Sequence, residues 1–330
     1  MSDSHHASAE AGRLTLAAIR AAEARIRGSI HRTPVLTSAT LDEFARARLF
    51  LKCEHLQKGG AFKARGATNA VFSLAEDVAR RGVVTHSSGN HAAALARAAR
   101  LRGVPAYVVM PRGALAVKRD AAVRYGGELI ECEPTLAARE ATAAQVLERT
   151  GATLVHPYDD LRVMAGQGTT ALELLDDLPD LDAILCPVGG GGQLSGIAVA
   201  AKSLKPSIRI VGVEPAAADD AARSLAAGRI LPAGDPRTIA DGLRTTLGTR
   251  PFAEIRAHVD AIVTVEEASI VAAMRLLWSV TKAVVEPSGA VAFAAVLEGR
   301  HAPFGERLAI VLSGGNFDPA AFDWSGRSLA

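Results

Sequence analysis

Short apolar segments rich in β-branched residues alternate with longer segments rich in alanine and leucine along most of the chain. The short segments have the length of strands, and the longer ones have the length and composition of helices. Strands are predicted at residues 83–85, 106–110, 129–130, 153–155, 183–186, 209–213 and 308–312. Helices are predicted at residues 64–74, 90–101, 114–124, 136–149 and 194–204. The pattern therefore indicates an α/β protein.

The predicted strands are almost continuously apolar, without the alternation that marks a sheet with one face in water. Such strands, separated by helices, are typical of parallel sheets with helices on both faces. Because ligands in these folds lie beyond the carboxyl ends of the strands, the turns that follow the strands are the candidate sites. At 330 residues the chain is longer than one core usually requires, so two domains are expected.

Composition narrows the functional classes. Apolar residues make up 49% and charged residues 22% of the chain, and the formal net charge is +2 without any basic block. This balance is that of a soluble globular protein and gives no sign of a nucleic-acid or anionic-membrane surface. No apolar run has the length of a membrane span, and the polar N-terminus is no signal peptide, so a cytoplasmic location is expected. The three cysteines, Cys53, Cys132 and Cys186, match neither a zinc motif nor a disulfide framework.

Two turns that join a predicted strand to a predicted helix carry candidate anion-binding groups. Residues 85–91 read THSSGNH, and residues 187–193 read PVGGGGQ. The N–H groups at the start of a helix bind anions, and glycines let the backbone approach a ligand closely. The first turn also fits an ordinary capped helix. About 20 residues after the second turn lies Glu214, at the distance of an acid that binds a ribose, so a dinucleotide site remains an alternative. The GxGxxG motif is missing, however, and a phosphate without a nucleoside fits the turn better.

A third glycine-rich turn and one lysine complete the candidate site. Residues 312–316 read LSGGN and follow the last apolar strand, where they fit either a contact to a ring edge or a plain strand-end turn. Lys63 lies between Phe62 and the start of a predicted helix. Partial burial there would lower the pKa of the amine toward the range useful for Schiff-base chemistry. A single lysine in this position is usually a surface residue, but beside three such turns it is a candidate catalytic group.

These segments occur together, in this order and spacing, in one known family. The matching segments are residues 32–34, 60–67 (GAFKARGA), 87–91 (SSGNH), 156–160, 165–169, 189–192 (GGGG), 213–215, 239–242 and 313–316 (SGGN). The chain resembles the serine/threonine dehydratase and serine racemase family of fold-type II pyridoxal-phosphate (PLP) enzymes. The resemblance implies a tryptophan synthase β-like fold with two open parallel-sheet domains. The large, discontinuous domain would comprise residues 1–75 and 157–330, and the small domain residues 76–156.

The resemblance also implies roles for the matching positions. Lys63 would bind the cofactor covalently and act as the base at the substrate Cα, and Ser88 matches the second base of serine racemases, on the opposite face. The other cofactor-binding residues would be Phe62, Asn90, Gly189, Gly190, Gly191, Gly192, Gly242 and Ser313. The substrate carboxylate would be held by Ser87, Asn90 and His91. The family usually has serine where this chain has Ala61, which leaves the cofactor assignment intact but weakens a detailed substrate assignment.

Two further features have competing interpretations. Glu214 and Asp220 follow a predicted strand and, taken alone, fit solvated acids at a helix start. The resemblance instead implies that Glu214, the Ala218 carbonyl and Asp220 bind a divalent cation such as Mg²⁺, Mn²⁺ or Ca²⁺. Arg139 fits either a helix-surface arginine or a side chain that reaches the far end of the substrate and binds a second carboxylate.

The leading expectation for function is the PLP-dependent removal of water and ammonia from a 3-hydroxy-L-amino acid such as serine or threonine. The alternatives are a serine racemase with side dehydratase activity, a 3-hydroxyaspartate dehydratase, and an inactive protein that only binds PLP or an amino acid. A homodimer is expected from the resemblance. The sequence alone does not determine the β-substituent of the substrate.

Overall fold

The computed structural model describes residues 12–87, 89–114 and 116–320. Its strands are β1 (Val35–Leu36), β2 (Arg48–Lys52), β3 (Val83–His86), β4 (Ala106–Pro111), β5 (Glu128–Cys132), β6 (Thr153–Leu154), β7 (Ala183–Pro187), β8 (Arg209–Pro215), β9 (Ala261–Val265) and β10 (Arg307–Val311). Its helices are α1 (Leu16–Ile26), α2 (Ala39–Ala45), α3 (Lys63–Phe72), α4 (Glu76–Ala79), α5 (Asn90–Arg102), α6 (Ala116–Arg124), α7 (Leu136–Thr150), α8 (Leu161–Asp177), α9 (Gly192–Leu204), α10 (Asp220–Ala227), α11 (Thr249–His258), α12 (Glu267–Thr281) and α13 (Pro287–Leu297). None of these described helices combines the length and the apolar character needed to cross a membrane.

The strands form two separate sheets. Six strands lie in the order β1-β2-β10-β7-β8-β9, and four lie in the order β5-β4-β3-β6. All neighbours are parallel except β1, which pairs antiparallel with β2. The predicted α/β class with open parallel sheets is thus confirmed. We call residues 83–154, which carry the four-stranded sheet, the small-sheet region, and the other described residues the large-sheet region; the predicted domain boundaries themselves stay a prediction.

The strands and helices predicted from the hydrophobic pattern are present, with ends within two residues of the predicted ones. Strands β1, β2 and β9 are not among the predicted strands. Charged Arg48 and Lys52 bound β2, so its apolar run is only three residues long. Its partner β10 lies near the other end of the chain, with Leu49 beside Leu308. A short strand that pairs so far along the chain leaves no local signal.

Both faces of the large sheet are buried, and β7 shows why. Successive side chains of a strand point to opposite faces. Ile184 and Cys186 belong to the core that includes α1, α8 and α9. Ala183 and Leu185 belong to the core that includes α12 and α13, with Phe293 fully buried in it. The near-continuous apolar character of the strands follows from this double burial.

Glycines allow three helices to cross at close range. A Cβ atom at Gly166 of α8 would lie 2.6 Å from the Cα of Gly66 in α3. A Cβ atom at Gly196 of α9 would lie 2.3 Å from the carbonyl oxygen of Met164 in α8. Helix α3, whose first residue is Lys63, is therefore held directly against the core.

A buried network of charges also ties α3 to its neighbours. Arg65 and Lys52 are both fully buried. Arg65 donates to Glu54 at 2.7 and 2.8 Å and to Glu173 of α8 at 2.7 and 2.8 Å. Lys52 donates to Glu173 at 2.6 Å and to the Thr33 carbonyl at 2.8 Å. Although burial alone would lower it, the two carboxylates raise the pKa of Arg65 above its usual range, so the guanidinium stays charged.

We expect the Glu173→Gln substitution to destabilise the protein by about 3–5 kcal/mol, because it leaves two buried cations short of a counter-ion. The matched control is Glu76→Gln, which removes the carboxylate of an exposed pair with Arg80 at 3.3 Å and should change the free energy of unfolding by about 1 kcal/mol or less. Urea unfolding of the two variants and the wild type measures both changes. Equal losses in the two variants would contradict the assigned importance of the buried network.

Candidate active site

A cavity lies between the small-sheet and large-sheet regions, where the turns after β3, β7 and β10 face one another. The predicted site residues that line it are Phe62, Lys63, Ser87, Asn90, His91, Arg139, Gly189, Gly190, Gly191, Gly192, Gly242 and Ser313. Ser88, the proposed second base, lies outside the described residues. The candidate metal ligands Glu214, Ala218 and Asp220 are not part of this lining. The fold thus gathers the candidate cofactor and substrate residues in one place, while their roles remain predictions.

Lys63 opens onto this cavity from the first position of α3. Its Nζ donates to the Pro157 carbonyl at 2.8 Å and lies 5.0 Å from the centre of the Phe62 ring. The backbone just before it is fixed by a hydrogen bond from Phe62 N to the Ser313 carbonyl at 3.0 Å. Burial lowers the pKa of Lys63 to about 8. A far larger fraction of this amine than of an ordinary lysine is therefore neutral and nucleophilic near neutral pH.

The four glycines form a cradle at the start of α9. Gly191 has a φ of +87° and serves as the N-cap of the helix. A Cβ atom at Gly190 would lie 2.3 Å from the Tyr158 ring, and one at Gly192 would lie 2.9 Å from the Tyr158 carbonyl. The loop therefore has room for glycine only. Its backbone leaves the first N–H groups of α9 without partners in the helix, which is the geometry that binds a phosphate.

The start of α5 faces this cradle from the small-sheet region. His91 donates from Nε2 to the Val155 carbonyl at 3.3 Å, which leaves its buried Nδ1 without a hydrogen-bond partner among the described residues. Burial, followed by the nearby charge of Lys63, lowers the pKa of His91 well below its usual value. The ring is thus neutral and anchors the helix. An anion at this position would be bound by the N–H groups of the helix start and by Ser87 rather than by an imidazolium.

Polar groups of the large-sheet region line the opposite wall. Ser313 is buried, and its Oγ lies 3.5 Å from the Ser288 carbonyl. Gly242 N donates to Ser288 Oγ at 3.0 Å. Glu286, just before α13, accepts from the Asn90 amide at 2.6 Å. Burial raises the pKa of Glu286 to about 7. Hydroxyl and carboxyl groups are thus available to the edge of a ring placed between Lys63 and this wall.

Arg139 forms the far end of the cavity. It projects from α7 into the lining, and its Nε is buried without a hydrogen-bond partner among the described residues. Burial, and then the nearby charge of Arg139, lower the pKa of His86. Beside it, the His156 ring packs edge-on against His86 at 5.1 Å and against Tyr158 at 4.6 Å. A buried guanidinium donor that lacks an acceptor is suited to an anionic ligand.

The candidate cation ligands lie where β8 meets α10, and Glu214, Ala218 and Asp220 are all buried. Burial is the main reason that the pKa of Glu214 rises to about 8 and that of Asp220 to about 6. Two such carboxylates and a carbonyl are the donors that a hard divalent cation takes. No group of three or more His, Cys, Asp or Glu side chains suited to a metal occurs among the described residues, so a cation here would depend on the carbonyl and on water.

The family of pyridoxal-phosphate dependent enzymes matches residues 26–314 of the chain. The chain belongs to this family. Lys63, the glycine cradle and the polar wall provide an amine, a phosphate site and ring contacts that fit PLP. The expectation that the protein is a PLP-dependent enzyme is therefore confirmed.

Known relatives narrow the family further. The chain is 53% identical over 305 residues to the serine racemase of Arabidopsis thaliana, with 91% of this chain and 92% of that protein covered. It is 48% identical over 305 residues to the β-hydroxyaspartate dehydratase of Paracoccus denitrificans (strain Pd 1222), with 92% and 97% covered. The structure of maize serine racemase superposes with a TM-score of 0.92 at 45% identity, over 93% of this chain and 95% of that chain. The resemblance inferred from the motifs is thus confirmed.

Several residues of the cavity were given no role by the sequence. Tyr158, Lys118, Asp241, Glu286 and Ser288 all line it. Tyr158 and Asp241 lie inside segments that match the family, and Glu286 precedes the proline that begins α13. The sequence therefore gave a weak indication that these three residues belong to the site. Lys118 had none, because a lysine in a charged helix is normally an exposed residue.

We expect PLP to label Lys63 of the cofactor-free protein with half-maximal yield near pH 8, because the lowered pKa makes the amine neutral well below the pKa of an ordinary lysine, about 10.4. Incubation with PLP across a pH series, reduction with borohydride and peptide mass spectrometry measure the yield. Lys58 does not line the cavity and serves as the internal control for surface labelling. A reduced adduct on a peptide that lacks Lys63 would contradict the assignment.

Proposed function

We propose that this enzyme uses PLP bound to Lys63 to eliminate water from a 3-hydroxy-L-amino acid. The unsaturated amine that results then takes up one water and releases ammonia, so that the net products are a 2-oxo acid and ammonia. The observation that carries the proposal is the position of Lys63. Its amine, with a pKa lowered by burial to about 8, opens into the cavity that the glycine cradle, the start of α5 and Ser313 also line. An amine, a phosphate site and a carboxylate site in one cavity are the parts that this chemistry needs.

The residues divide into those that hold the cofactor and those that hold the substrate. The N–H groups of Gly189, Gly190, Gly191 and Gly192 would bind the phosphate. Phe62, Asn90, Gly242 and Ser313 would contact the ring. The start of α5, with Ser87, Asn90 and His91, would bind the substrate carboxylate.

Each polar group then has a definite task. PLP, when bound, withdraws electrons from the substrate Cα and makes its proton easier to remove. Lys63 takes that proton, since its amine is nucleophilic and basic at neutral pH. Ser313 offers the ring nitrogen a hydroxyl rather than a carboxylate, so it does not hold the ring protonated. With little negative charge held at Cα, the β-hydroxyl group would leave promptly as water, with a proton such as the one that Lys63 has taken.

Arg139 favours a substrate with a second carboxylate, as in 3-hydroxyaspartate. Its buried Nε has no acceptor among the described residues, and a β-carboxylate would supply one. A relative that is 48% identical is a β-hydroxyaspartate dehydratase, which supports the same substrate class. Ala61 instead favours a less polar substrate. The family usually has serine at this position, and alanine lacks that hydroxyl beside Lys63.

The test is a panel of serine, threonine and 3-hydroxyaspartate, assayed for ammonia and 2-oxo acid in equal amounts. We expect 3-hydroxyaspartate to have the highest kcat/KM, and Arg139→Ala to reduce it by about 10- to 100-fold, because one charge-assisted contact contributes about 1.5–3 kcal/mol. The matched control is Arg149→Ala, which removes an arginine from the exposed end of the same helix and should leave the ratios unchanged.

Two outcomes would count against these proposals. If Arg139→Ala leaves the ratios between the three substrates unchanged, Arg139 has no part in specificity. If the wild type releases no ammonia from any of the three, the proposed elimination is wrong.

Racemisation of serine is the second candidate function. The 53% identity to the serine racemase of Arabidopsis thaliana supports it, and Ser88 would be the base on the face opposite Lys63. Chiral analysis of the serine recovered from the same panel separates the two activities.

The homodimer implied by the resemblance also remains a prediction, which sedimentation analysis would test.

We further propose that a divalent cation binds Glu214, the Ala218 carbonyl and Asp220 and supports the cofactor site from a distance. Asp220 accepts from Leu247 N at 3.2 Å, and the next residue, Gly248, donates from its N–H to the Gly190 carbonyl at 3.1 Å. The candidate cation set is therefore two steps from the phosphate cradle. A cation would neutralise two buried carboxylates and fix this connection.

We expect exhaustive chelation to lower the melting temperature and the PLP occupancy of the wild type, and Mg²⁺, Mn²⁺ or Ca²⁺ to restore both, since only the folded state offers the site. Glu214→Gln should abolish the response to the ion. Asp219→Asn, which alters a half-exposed neighbour paired with Arg223, should respond like the wild type. If chelation changes neither quantity in the wild type, the cation proposal fails.

A further inference from the structure

Lys118 is buried in an unusual place. Helix α6 is largely exposed, and its buried positions are Lys118 and Ala122. The Lys118 side chain is only 3% exposed, and its Nζ lies 2.5 Å from Asp241 Oδ2 and 3.7 Å from Glu286 Oε2. An ammonium group is buried only where anions compensate for its lost hydration. The two carboxylates are therefore the reason that this side chain points inward.

The contact joins the two regions of the molecule. Lys118 belongs to the small-sheet region, whereas Asp241 and Glu286 belong to the large-sheet region. A second side chain makes the same crossing, since Asn90 of α5 donates to Glu286 Oε1 at 2.6 Å. Asn316 of the large-sheet region completes the connection by donating to Asn90 Oδ1 at 3.0 Å. Glu286 is thus reached from two helices across the cavity.

The carboxylate also touches the wall where the cofactor ring would lie. A Cβ atom at Gly314 would be 2.1 Å from Glu286 Oε1, so this oxygen lies against the turn that carries Ser313. The other oxygen, Oε2, is buried and has no hydrogen-bond partner among the described residues. The ammonium group of Lys118 faces this oxygen at 3.7 Å.

We propose that Lys118 is a positioning residue that clasps the small-sheet region to the large-sheet region and, by holding the Glu286 carboxylate, orients the Asn90 amide beside the cofactor ring. The catalytic consequence rests on the proposed function, whereas the clasp itself does not. When the clasp is closed, the start of α5, the substrate site and the ring contacts are held in one arrangement. Without it, α6 loses its ion pair with the opposite wall, and the Glu286 carboxylate that accepts from Asn90 of α5 loses its nearby cation.

The charges around Glu286 make the clasp measurable. The titratable groups that face it are Lys118 from α6 and Asp241 from the turn before Gly242, and Asn90 adds a neutral donor. Burial raises the pKa of Glu286 to about 7, and Lys118 opposes that rise. Loss of the ammonium group would therefore leave the carboxyl protonated to a higher pH. A helix contact without electrostatic function would not have this effect.

The test compares Lys118→Met, Lys118→Arg and Arg119→Met in the PLP-loaded enzyme. Arg119→Met removes a neighbouring positive charge of α6 whose partner, Glu131 at 3.4 Å, lies in the same small-sheet region. We expect Lys118→Met to speed amide hydrogen exchange of α6 by about tenfold or more. We also expect it to move the inflection in the pH profile of kcat/KM upward by about one unit. Lys118→Arg should restore both quantities, and Arg119→Met should change neither.

A double variant keeps the outcome decisive. If the clasp depends on the ion pair, Lys118→Met combined with Asp241→Asn should exchange no faster than Lys118→Met alone, since both changes remove one interaction. Additive effects would overturn the clasp, and so would equal exchange in Lys118→Met and Arg119→Met. Hydrogen exchange requires no turnover. Failure of the proposed elimination would show in the activity of the wild type, whereas failure of this inference would show in hydrogen exchange. The two failures are therefore distinguishable.

Discussion

The buried pairing of Arg65 and Lys52 with Glu54 and Glu173 is the constraint on which the site depends. None of these charges tolerates burial alone, so the end of β2 with the segment after it, the start of α3 and the C-terminal part of α8 must come together in one arrangement. Lys63 lies two residues before Arg65 on the same helix. The network that satisfies the guanidinium therefore also fixes the direction in which the amine of Lys63 points.

The remaining parts of the site follow from strand polarity. Parallel strands end at the same edge, so the turns after β7 and β10 lie side by side, and the start of α5 after β3 faces them from the second sheet. Two helix starts, those of α5 and α9, thus direct unpaired N–H groups into one cavity. One would hold a phosphate and the other a carboxylate, with Lys63 between them.

The polar and charged groups of the cavity are divided between the two regions. Lys118, Asn90 and Arg139 come from the small-sheet region, whereas Glu286 and Asp241 come from the large-sheet region. Bringing the regions together would therefore assemble the proposed ring contacts and the far end of the proposed substrate site at once. Arg139, whose buried Nε has no hydrogen-bond partner within the described part of the chain, would be complementary to an anionic end of a substrate.

The sequence by itself determined the alternation of strands and helices, the three glycine-rich turns and Lys63, because each rests on a local signal of periodicity or turn chemistry. Only the tertiary structure decided that β2 pairs with β10, that Arg139 turns inward and that Lys118 is buried. In each case the outcome depends on contacts between residues that are far apart in the chain. A charged side chain is exposed or buried according to partners far away in the chain, such as Asp241 for Lys118, and no local pattern encodes a distant partner.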